Sequence, residues 1–367
     1  MPGSAECSTP ADGEALRILA VSETWQGGND HAFVRAFRRQ AHFVATVVPS
    51  EYFPRWRSRP LRAAMRLLRP RAVAEFNHSI LRASETFRPH LFFVFKGAEI
   101  LPETIDRVRA NGAVAIQYYP DVSFHTHGPL LPKALPRYDW IFTTKSFGLD
   151  DMRRQLGVES ASLLLHGFDP ETHCPTETLD DEIMVLSSQA TFVGNWSPKK
   201  EALLAELVGR LHDLDLKIWG PPAWNASTAK VAERFQGHPV RGSQYAKAIG
   251  ASKINIALLS EQRRGASSGD VTTSRTFEIP GAGGFMLHER TEEAMALFEE
   301  GKEAAFFSGA DELAEKVAYY LDHEDERAAI ADAGRRRAIA SGYSTDDRAK
   351  VVLQKYQELK AARSGTA

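Results

Sequence analysis

One segment, Gly269–Leu287 (GDVTTSRTFEIPGAGGFML), combines helix-capping residues, a cation, an acid and several glycines. Three hydroxyl residues of the N-cap type precede a predicted short helix over Arg275–Gly281, namely Thr272, Thr273 and Ser274. A helix start offers unpaired backbone N–H groups and a partial positive charge, which together suit a phosphate, and Arg275 adds a cation there. Glu278, one turn further on, could accept hydrogen bonds from the hydroxyl pair of a sugar or ribose. The residue types alone fit this site and an ordinary capped helix with a glycine exit equally well.

Several common catalytic motifs are absent from the sequence. It has no GxxxxGK[ST] phosphate loop, no GxSxG elbow, no HExxH and no clustered CxxC. The first predicted strand leads into Glu23–Asp30 (ETWQGGND) instead of the GxGxxG dinucleotide fingerprint, which argues against a hydride-transfer enzyme. Gly27 and Gly28 of this segment form a loop that could approach a phosphate or an acceptor.

Short apolar runs that alternate with helix-like segments must position these groups. The predicted strands are Arg17–Ser22, Phe43–Val48, Leu91–Phe95, Ala113–Tyr119, Trp140–Thr144, Ser162–Leu165, Thr191–Val193, Leu216–Trp219, Ile254–Leu259, Phe285–Leu287 and Ala304–Phe307. Because they are apolar on both faces and one helix length apart, they indicate parallel sheets built from βαβ units. The pattern predicts an α/β protein of two Rossmann-like, doubly wound domains that face each other across a cleft.

The predicted organisation has five parts. It consists of a disordered polar tail (1–13), a first Rossmann-like domain (14–166), a linker (167–182), a second Rossmann-like domain (183–342) and a C-terminal helix and tail (343–367), of which the helix braces the junction. A length of 367 residues suits two domains. The two cysteines indicate a reducing compartment, and the net charge of −2 excludes a nucleic-acid-coating protein.

The sequence from Arg275 to Leu287 resembles the signature of glycosyltransferases with the GT-B fold, of the CgeB-like (spore-maturation) group. These are related to the retaining family-four enzymes. The stretch from Leu297 through Gly334-Arg-Arg-Arg is also similar, and Thr191–Lys200 (TFVGNWSPKK) resembles the strand and glycine loop that open the donor domain. The resemblance covers residues 190–350 well and the first half mainly by pattern.

The resemblance implies a set of donor-binding residues. Two acids seven residues apart flank the donor in the family-four enzymes; Glu278 matches the one that binds ribose, and Asp270, a shorter acid, matches the one that contacts the sugar. The diphosphate would be held by Thr272–Ser274 and neutralised by Lys199 or Lys200. The remaining matches are the glycine loop with Gly194 and Asn195, where many relatives carry arginine, and Arg241 in the loop that reads the base. The family works without a metal and with no covalently bound cofactor, on UDP-, GDP- or dTDP-sugars.

On the opposing wall, Asp121 follows a predicted strand where relatives place a catalytic or sugar-contacting acid or histidine. It is our candidate for acceptor base or donor contact, and a turn aspartate after Pro120 is the alternative. His125 and His127 lie nearby, but two histidines and one carboxylate fall short of a closed metal site, so we predict none.

Residues 53–71 (FPRWRSRPLRAAMRLLRPR) contain seven arginines and no acid. As a helix after Pro60, the segment puts Leu61, Met65 and Leu68 on one face beside a stripe of arginines. Such a helix either contacts a membrane surface or packs its apolar stripe on the sheet, and the second is slightly favoured because each peripheral helix needs such a stripe.

The resemblance implies a glycosyltransferase that moves a sugar, with retention of configuration, from a nucleotide-sugar donor to a hydroxyl of a saccharide, lipid-linked or protein acceptor, such as a cell-envelope glycan. It also implies that the first domain (14–166) binds the acceptor and the second (183–342) the nucleotide sugar. The predicted location is cytoplasmic, at or near the inner face of the membrane. Two alternatives remain open, a nucleotide-sugar epimerase and a catalytically idle scaffold or coat protein with the same fold.

Overall fold

A computed structural model describes residues 15–54 and 59–365, and the side chains of 59–65 lie outside the description. The predicted tail over 1–13 and part of the basic segment therefore fall outside the described residues. The described chain forms two parallel β-sheets with helices on their faces. This confirms the predicted α/β architecture of two doubly wound domains.

The first sheet has six strands in the order β2-β1-β3-β4-β5-β6. Their bounds are β1 Arg17–Val21, β2 Phe43–Val47, β3 Leu91–Phe95, β4 Val114–Tyr119, β5 Trp140–Thr143 and β6 Ala161–Leu163. All neighbours pair in parallel, and in β1 and β3 Ile18 lies opposite Leu91. The central strand β4 is buried at every position, as expected for a strand covered on both faces.

The second sheet has five strands in the order β11-β10-β9-β7-β8. Their bounds are β7 Ser188–Val193, β8 Leu216–Trp219, β9 Ser252–Ala257, β10 Met286–Glu289 and β11 Ala305–Phe307. These strands are also parallel. Each sheet reverses its strand order once, between β1 and β3 in the first and between β7 and β9 in the second.

Helices connect the strands on both faces of the sheets. Those of the first half are α1 Asn29–Arg39, α2 Pro49–Tyr52, α3 Arg59–Phe87, α4 Pro102–Ala110, α5 Leu130–Ala134 and α6 Ser146–Leu156. Those of the second half are α7 Asp180–Leu186, α8 Pro198–Arg210, α9 Ala229–Ala232, α10 Ser243–Ala251, α11 Arg275–Gly281, α12 Glu292–Leu297, α13 Gly309–Asp322, α14 Glu324–Ala340 and α15 Thr345–Gly365. Short 3₁₀ turns cover Phe124–His127, Leu135–Arg137 and Pro222–Ala226.

The last helix, α15, crosses back to the first domain. Its apolar face, with Ala349, Val352 and Tyr356, is buried in the same cluster as strand residues of the first sheet. Ser344 caps the helix, since its hydroxyl accepts a hydrogen bond from the backbone N–H of Asp347 at 3.2 Å. The helix follows the complete second sheet and packs on the first, so it ties the two domains together as predicted.

The region between the sheets differs from the predicted linker in one respect, because α7 begins inside the range 167–182. This helix leaves four apolar residues exposed, namely Leu179, Ile183, Met184 and Val185. The helix was missed because its seven residues are too few for a clear periodic pattern.

The basic segment 53–71 is helical from Arg59 onward, as the first part of α3. Leu67 and Leu68 are 84% and 47% exposed, so Leu68 does not pack on the sheet in the way the favoured interpretation requires. Leu61 and Met65 lie outside the described side chains. Within the described residues, no helix is both long and apolar enough to cross a bilayer.

Candidate functional site

A cavity of about 1100 Å³ lies between the two domains. It opens where each sheet reverses its strand order, beyond the carboxyl ends of β1 and β3 on one side and of β7 and β9 on the other. Ligands of doubly wound sheets bind at such reversal points. The predicted residues that line the cavity are Gly27, Asp121, Gly194, Asn195, Lys200, Arg241, Asp270, Thr273, Ser274, Arg275 and Glu278.

Helix α11 lies on the second domain's side of the cavity. Ser274 is its N-cap residue, although its side chain makes no capping hydrogen bond. The predicted helix bounds, Arg275–Gly281, agree with the structure. The helix therefore points its start, with the neighbouring Thr273, into the cavity.

The Arg275 guanidinium is fixed by the backbone at the ends of two strands. It donates hydrogen bonds to the carbonyl oxygens of Val193 at 3.2 Å and Leu258 at 2.8 Å, and it lies 5.2 Å from the ring centre of Phe192. A Cβ atom at Gly194 would come within 2.7 Å of Nη1 of Arg275, so this glycine makes room for the guanidinium. The Arg275 guanidinium therefore joins the ends of β7 and β9 beside the cavity.

Glu278 is buried beside the cavity, with an exposed fraction of 7%. Burial raises the pKa of its carboxyl to about 7, against the lowering effect of Arg275, Ser274 and Tyr245 beside it. Tyr245 lies on α10, and its ring packs edge-on against His173 at 5.3 Å. Near neutral pH the carboxyl is thus poised between its neutral and ionised forms.

The structure separates the two candidate lysines. Lys200 lies 3.2 Å from the hydroxyl of Ser260 and 3.4 Å from the carbonyl oxygen of Asn195, and burial together with the charge of Arg275 lowers its pKa to about 7. Lys199 instead forms an ion pair with Glu289 and does not line the cavity. The described contacts of the buried Lys200 amine are thus with uncharged oxygen atoms of Ser260 and Asn195. Such an amine is suited to bind an anionic ligand.

Asp270 does not stand alone in the cavity. Its carboxylate lies 2.7 Å from the ammonium of Lys145, which comes from the first domain, and its Oδ2 accepts a hydrogen bond from the backbone N–H of Ser260 at 3.3 Å. Burial raises the pKa of Asp270, but the charge of Lys145 outweighs it and holds the pKa below the ordinary value. This acid is therefore ionised.

Asp121 lies on the first domain's wall between a lysine and a histidine. Its Oδ2 is 2.7 Å from the ammonium of Lys96 and 3.0 Å from Nε2 of His127. Burial raises the pKa of Asp121, yet His127 and Lys96 hold it well below the usual range. A carboxylate that binds protons so weakly is a poor general base, and the arrangement favours the contact role of the two proposed roles.

Two loops that line the cavity, one from each domain, contact each other. A Cβ atom at Gly27 would lie 2.5 Å from the backbone nitrogen of Gly242, which allows only glycine there. Next to this contact, the guanidinium of Arg241 lies 4.8 Å from the ring centre of Trp25. The Gly27 loop therefore abuts the loop predicted to read the base.

Three predicted residues do not reach the cavity in this structure. Thr272 has no exposed surface, Lys199 is paired elsewhere, and Gly28 is buried beside the ring of Trp25. His125 contacts Gln155 at 2.8 Å, and His127 contacts Asp121. Among residues 15–54 and 59–365, no group of three or more His, Cys, Asp or Glu side chains could hold a metal ion.

Five further residues were not assigned to the site from the sequence, namely Trp25, Lys145, His166, His173 and Tyr245. All five line the cavity. Lys145 lies two residues beyond the carboxyl end of β5, and that position was a signal that could have identified it.

Residues 199–354 match the family model described as Glycosyl transferase-like. No curated protein matches the sequence. Among solved structures, sucrose-phosphate synthase from Thermosynechococcus elongatus is similar, with a TM-score of 0.67 and 12% identity over 95% of this chain and 100% of that one. A glycosyltransferase from Rickettsia africae has a TM-score of 0.64 and 12% identity over 95% and 99%. HepE from Anabaena, solved in complex with UDP, has a TM-score of 0.58 and 12% identity over 94% and 100%.

At these identities the likeness in structure concerns the fold, and it covers nearly all of each chain. The two facing α/β domains are those of the GT-B fold. Together with the family match in the second domain, this fold supports a glycosyltransferase enzyme.

Proposed function

We propose that this protein transfers a sugar from a UDP-, GDP- or dTDP-sugar to a hydroxyl group of a saccharide, lipid-linked or protein acceptor. The observation that carries the proposal is the second domain's wall, where the start of α11, Arg275, Lys200 and Glu278 meet in one cavity. The two cations and the helix start would hold the diphosphate, and Glu278 would accept hydrogen bonds from the ribose hydroxyls. HepE, which has this fold, binds UDP.

Departure of the nucleoside diphosphate is the step that these groups would assist. Negative charge develops on the leaving phosphate, and fixed cations stabilise it without any reorganisation at that moment. Arg275 is fixed by two backbone carbonyl groups, and Lys200 by Ser260 and Asn195. This chemistry needs no metal ion, and we extend the proposal to metal-independent transfer with retention of configuration, by analogy with the family-four spacing of Asp270 and Glu278.

The first domain's wall would receive the acceptor. Asp121, held ionised between Lys96 and His127, would contact the acceptor or the donor sugar. The contact between the Gly27 loop and the Gly242 loop would hold the two walls together and help to exclude water, which would otherwise hydrolyse the donor.

A thermal-shift screen with UDP, GDP, dTDP and CMP tests the proposal. A ligand at 100 times its dissociation constant adds about 2.7 kcal/mol to the free energy of unfolding, which gives a readily measured shift. Binding of one nucleoside diphosphate, followed by mass-spectrometric detection of a glycosylated acceptor, is the expected result. Absence of any shift would favour the idle scaffold, and interconversion of the nucleotide sugar without an acceptor would favour the epimerase.

We further propose that α3 brings the protein to the inner, anionic face of the cell membrane. Arg66, Arg69 and Arg71 are exposed beside Leu67 and Leu68, and Arg69 pairs with Glu99, which lines the cavity. A basic and apolar helix surface next to the acceptor wall suits a lipid-linked acceptor.

Co-sedimentation with phosphatidylglycerol vesicles tests this contact. The double variant Leu67→Glu/Leu68→Glu should release the protein from these vesicles, whereas Met184→Glu, on an exposed apolar position of α7, should not. The contact would be contradicted if the wild-type protein and both variants bound these vesicles equally. It would also be contradicted if the wild-type protein bound phosphatidylcholine vesicles as well as phosphatidylglycerol vesicles.

A further inference from the structure

Among the described residues of the first domain, only Lys145 forms a short ion pair with a predicted donor-binding acid of the second. It is the N-cap residue of α6, two residues after the end of β5. Its side chain is 3% exposed, and its ammonium lies 2.7 Å from Oδ1 of Asp270 and 3.0 Å from the carbonyl oxygen of Thr272. The first domain thus reaches into the segment that precedes α11.

The position of Asp270 depends on both domains. Its own domain holds the backbone, since the Asp270 N–H donates to the carbonyl oxygen of Ser260 at 2.8 Å and the Ser260 N–H approaches Oδ2 at 3.3 Å. Oδ1 is approached only by Lys145 among the described residues. A carboxylate that is 8% exposed needs such a partner, because an uncompensated buried charge is costly.

Other contacts already dock the domains around this pair. The Gln155 side chain donates to the carbonyl oxygen of Gly265 at 2.9 Å, and Asp151 accepts hydrogen bonds from the backbone and hydroxyl of Ser267. None of these residues lines the cavity. Docking as such therefore does not require the Lys145–Asp270 pair, which lies inside the cavity.

We propose that Lys145 is a positioning residue that orients Asp270 toward the sugar of the donor and does so only when the two domains are closed. The proposal rests on the proposed function, because Asp270 matters only if a nucleotide sugar binds here. Asp270 is one bond shorter than the glutamate of the family-four pattern, and the ammonium from the opposite wall fixes the direction of its carboxylate. Binding of the sugar and closure of the cleft would thereby become coupled.

The test compares nucleotide-sugar binding with nucleoside-diphosphate binding. The probes are UDP-glucose, UDP-N-acetylglucosamine, GDP-mannose and dTDP-glucose with their diphosphates, and the pair that the wild-type protein binds best is used. Lys145→Met should leave the dissociation constant of the diphosphate within about twofold and lower kcat/KM by about 10²-fold, the size expected for a small misplacement at a reacting centre. The advantage of the nucleotide sugar over the diphosphate should disappear.

Gln155→Ala is the matched control, since it removes a hydrogen bond between the domains outside the cavity. If it reproduces the effect of Lys145→Met, the pair contributes only to docking, and the proposal is wrong. Unchanged turnover in Lys145→Met also overturns it. If the wild-type protein binds none of the probes, the proposed function itself fails, and that result differs from a failure confined to Lys145.

A double variant keeps the proposal testable if Lys145→Met fails to fold. Lys145→Met leaves the buried Asp270 without its cation, whereas the double variant Lys145→Met/Asp270→Asn removes both charges. The proposal expects the double variant to be no less active than Asp270→Asn alone, because Lys145 acts through Asp270. The pH–rate profile should also show an acidic inflection of Asp270 below the limb set by Glu278, and this inflection should move to higher pH in Lys145→Met, because the ammonium that lowers the pKa of Asp270 is gone; His166 and Lys200 are the remaining titratable groups near the acid. Fully additive losses in the double variant would contradict the proposal.

Discussion

The two walls of the cleft differ in how the charges of their buried side chains are balanced. The second domain's wall has two buried groups with pKa values near 7, namely Lys200, which forms no ion pair with a described residue, and Glu278, which lies beside the Arg275 guanidinium. The first domain's wall has Asp121, which is already neutralised by Lys96 and His127. The second wall is thus prepared to gain a charged ligand, and the first is balanced before anything binds.

This difference also appears in the backbone. On the second wall, Glu278 lies one turn after Ser274, the N-cap residue of α11. The groups of this wall that would bind the nucleotide are therefore close neighbours along the chain. On the first wall, Lys96 and Gly97 have positive φ angles of 66° and 72°, which a residue other than glycine seldom adopts. The loop after β3 thus places the Lys96 side chain toward Asp121 by means of an unusual backbone conformation. The comparison suggests a wall built for a constant ligand, the nucleotide, and a wall shaped for a particular acceptor.

The largest expected effect follows from removing Glu278. We expect Glu278→Ala to lower sugar transfer by about 10³-fold or more, because the ribose then loses its charged hydrogen-bond partner and the donor loses its orientation. Circular dichroism should show a folded protein. Glu315→Ala, at an exposed site on α13, is the control and should be fully active; near-normal turnover in Glu278→Ala would remove the basis for placing the ribose here.

The adjacent residues Lys199 and Lys200 allow a matched comparison on the second wall. Lys200→Met should weaken binding of the nucleoside diphosphate by about 10- to 100-fold, the range for losing a charge-assisted hydrogen bond. Lys199→Met removes an equal charge one residue away but only breaks the ion pair with Glu289, so binding should change less than twofold. Isothermal titration calorimetry measures both, and a larger loss from Lys199→Met would reverse the assignment.

A substitution on the first wall should reduce transfer to the acceptor without weakening nucleotide binding. We expect Asp121→Asn to reduce transfer to the acceptor about tenfold while the affinity for the nucleoside diphosphate stays unchanged, since Asp121 lies on the other side of the cavity. Asp106→Asn, which removes a half-exposed acid on α4, is the control. An equal loss of nucleotide affinity in Asp121→Asn would mean that the two walls do not divide the ligands.

Much of the second wall could be predicted from the sequence because its groups are neighbours along the chain. The bounds of α11 and the positions of Glu278 and Arg275 follow from capping and helical spacing within a dozen residues. The strands were also predictable, since both faces of each are apolar. Lys199 and Lys200 could not be separated, because the choice depends on how the first turn of α8 is oriented against Glu289 and Ser260.

The groups that meet only through packing of the two domains were out of reach. The partner of Asp270 is Lys145, which is 125 residues away and in the other domain. Similarly, Thr272 looked like a phosphate ligand by residue type, but its carbonyl oxygen accepts from Lys145 and its side chain is buried. No local pattern encodes the closure that brings these residues together.

The smallest expected effect is a pH dependence of donor binding that the second wall alone should produce. Lys200 meets the diphosphate as its protonated form, which is lost as the pH rises above about 7, and Glu278 accepts from ribose as its ionised form, which is lost as the pH falls below about 7. Affinity for UDP-glucose should therefore peak near pH 7 and fall about threefold at one pH unit on either side. UDP-glucose suits the calorimetric titration because its diphosphate, unlike that of UDP, has no terminal phosphate that titrates in this range.

Variants assign each limb of that profile to one residue. Lys200→Met should flatten the alkaline limb and Glu278→Gln the acidic limb, whereas Asp121→Asn should leave both limbs in place, because the pKa of Asp121 lies well below this range. A profile that changes in only one direction from pH 6 to pH 8 would show that just one of the two buried groups titrates in contact with the donor. If Asp121→Asn moved a limb, charge on the first wall would be influencing the nucleotide, and the division between the walls would have to be abandoned.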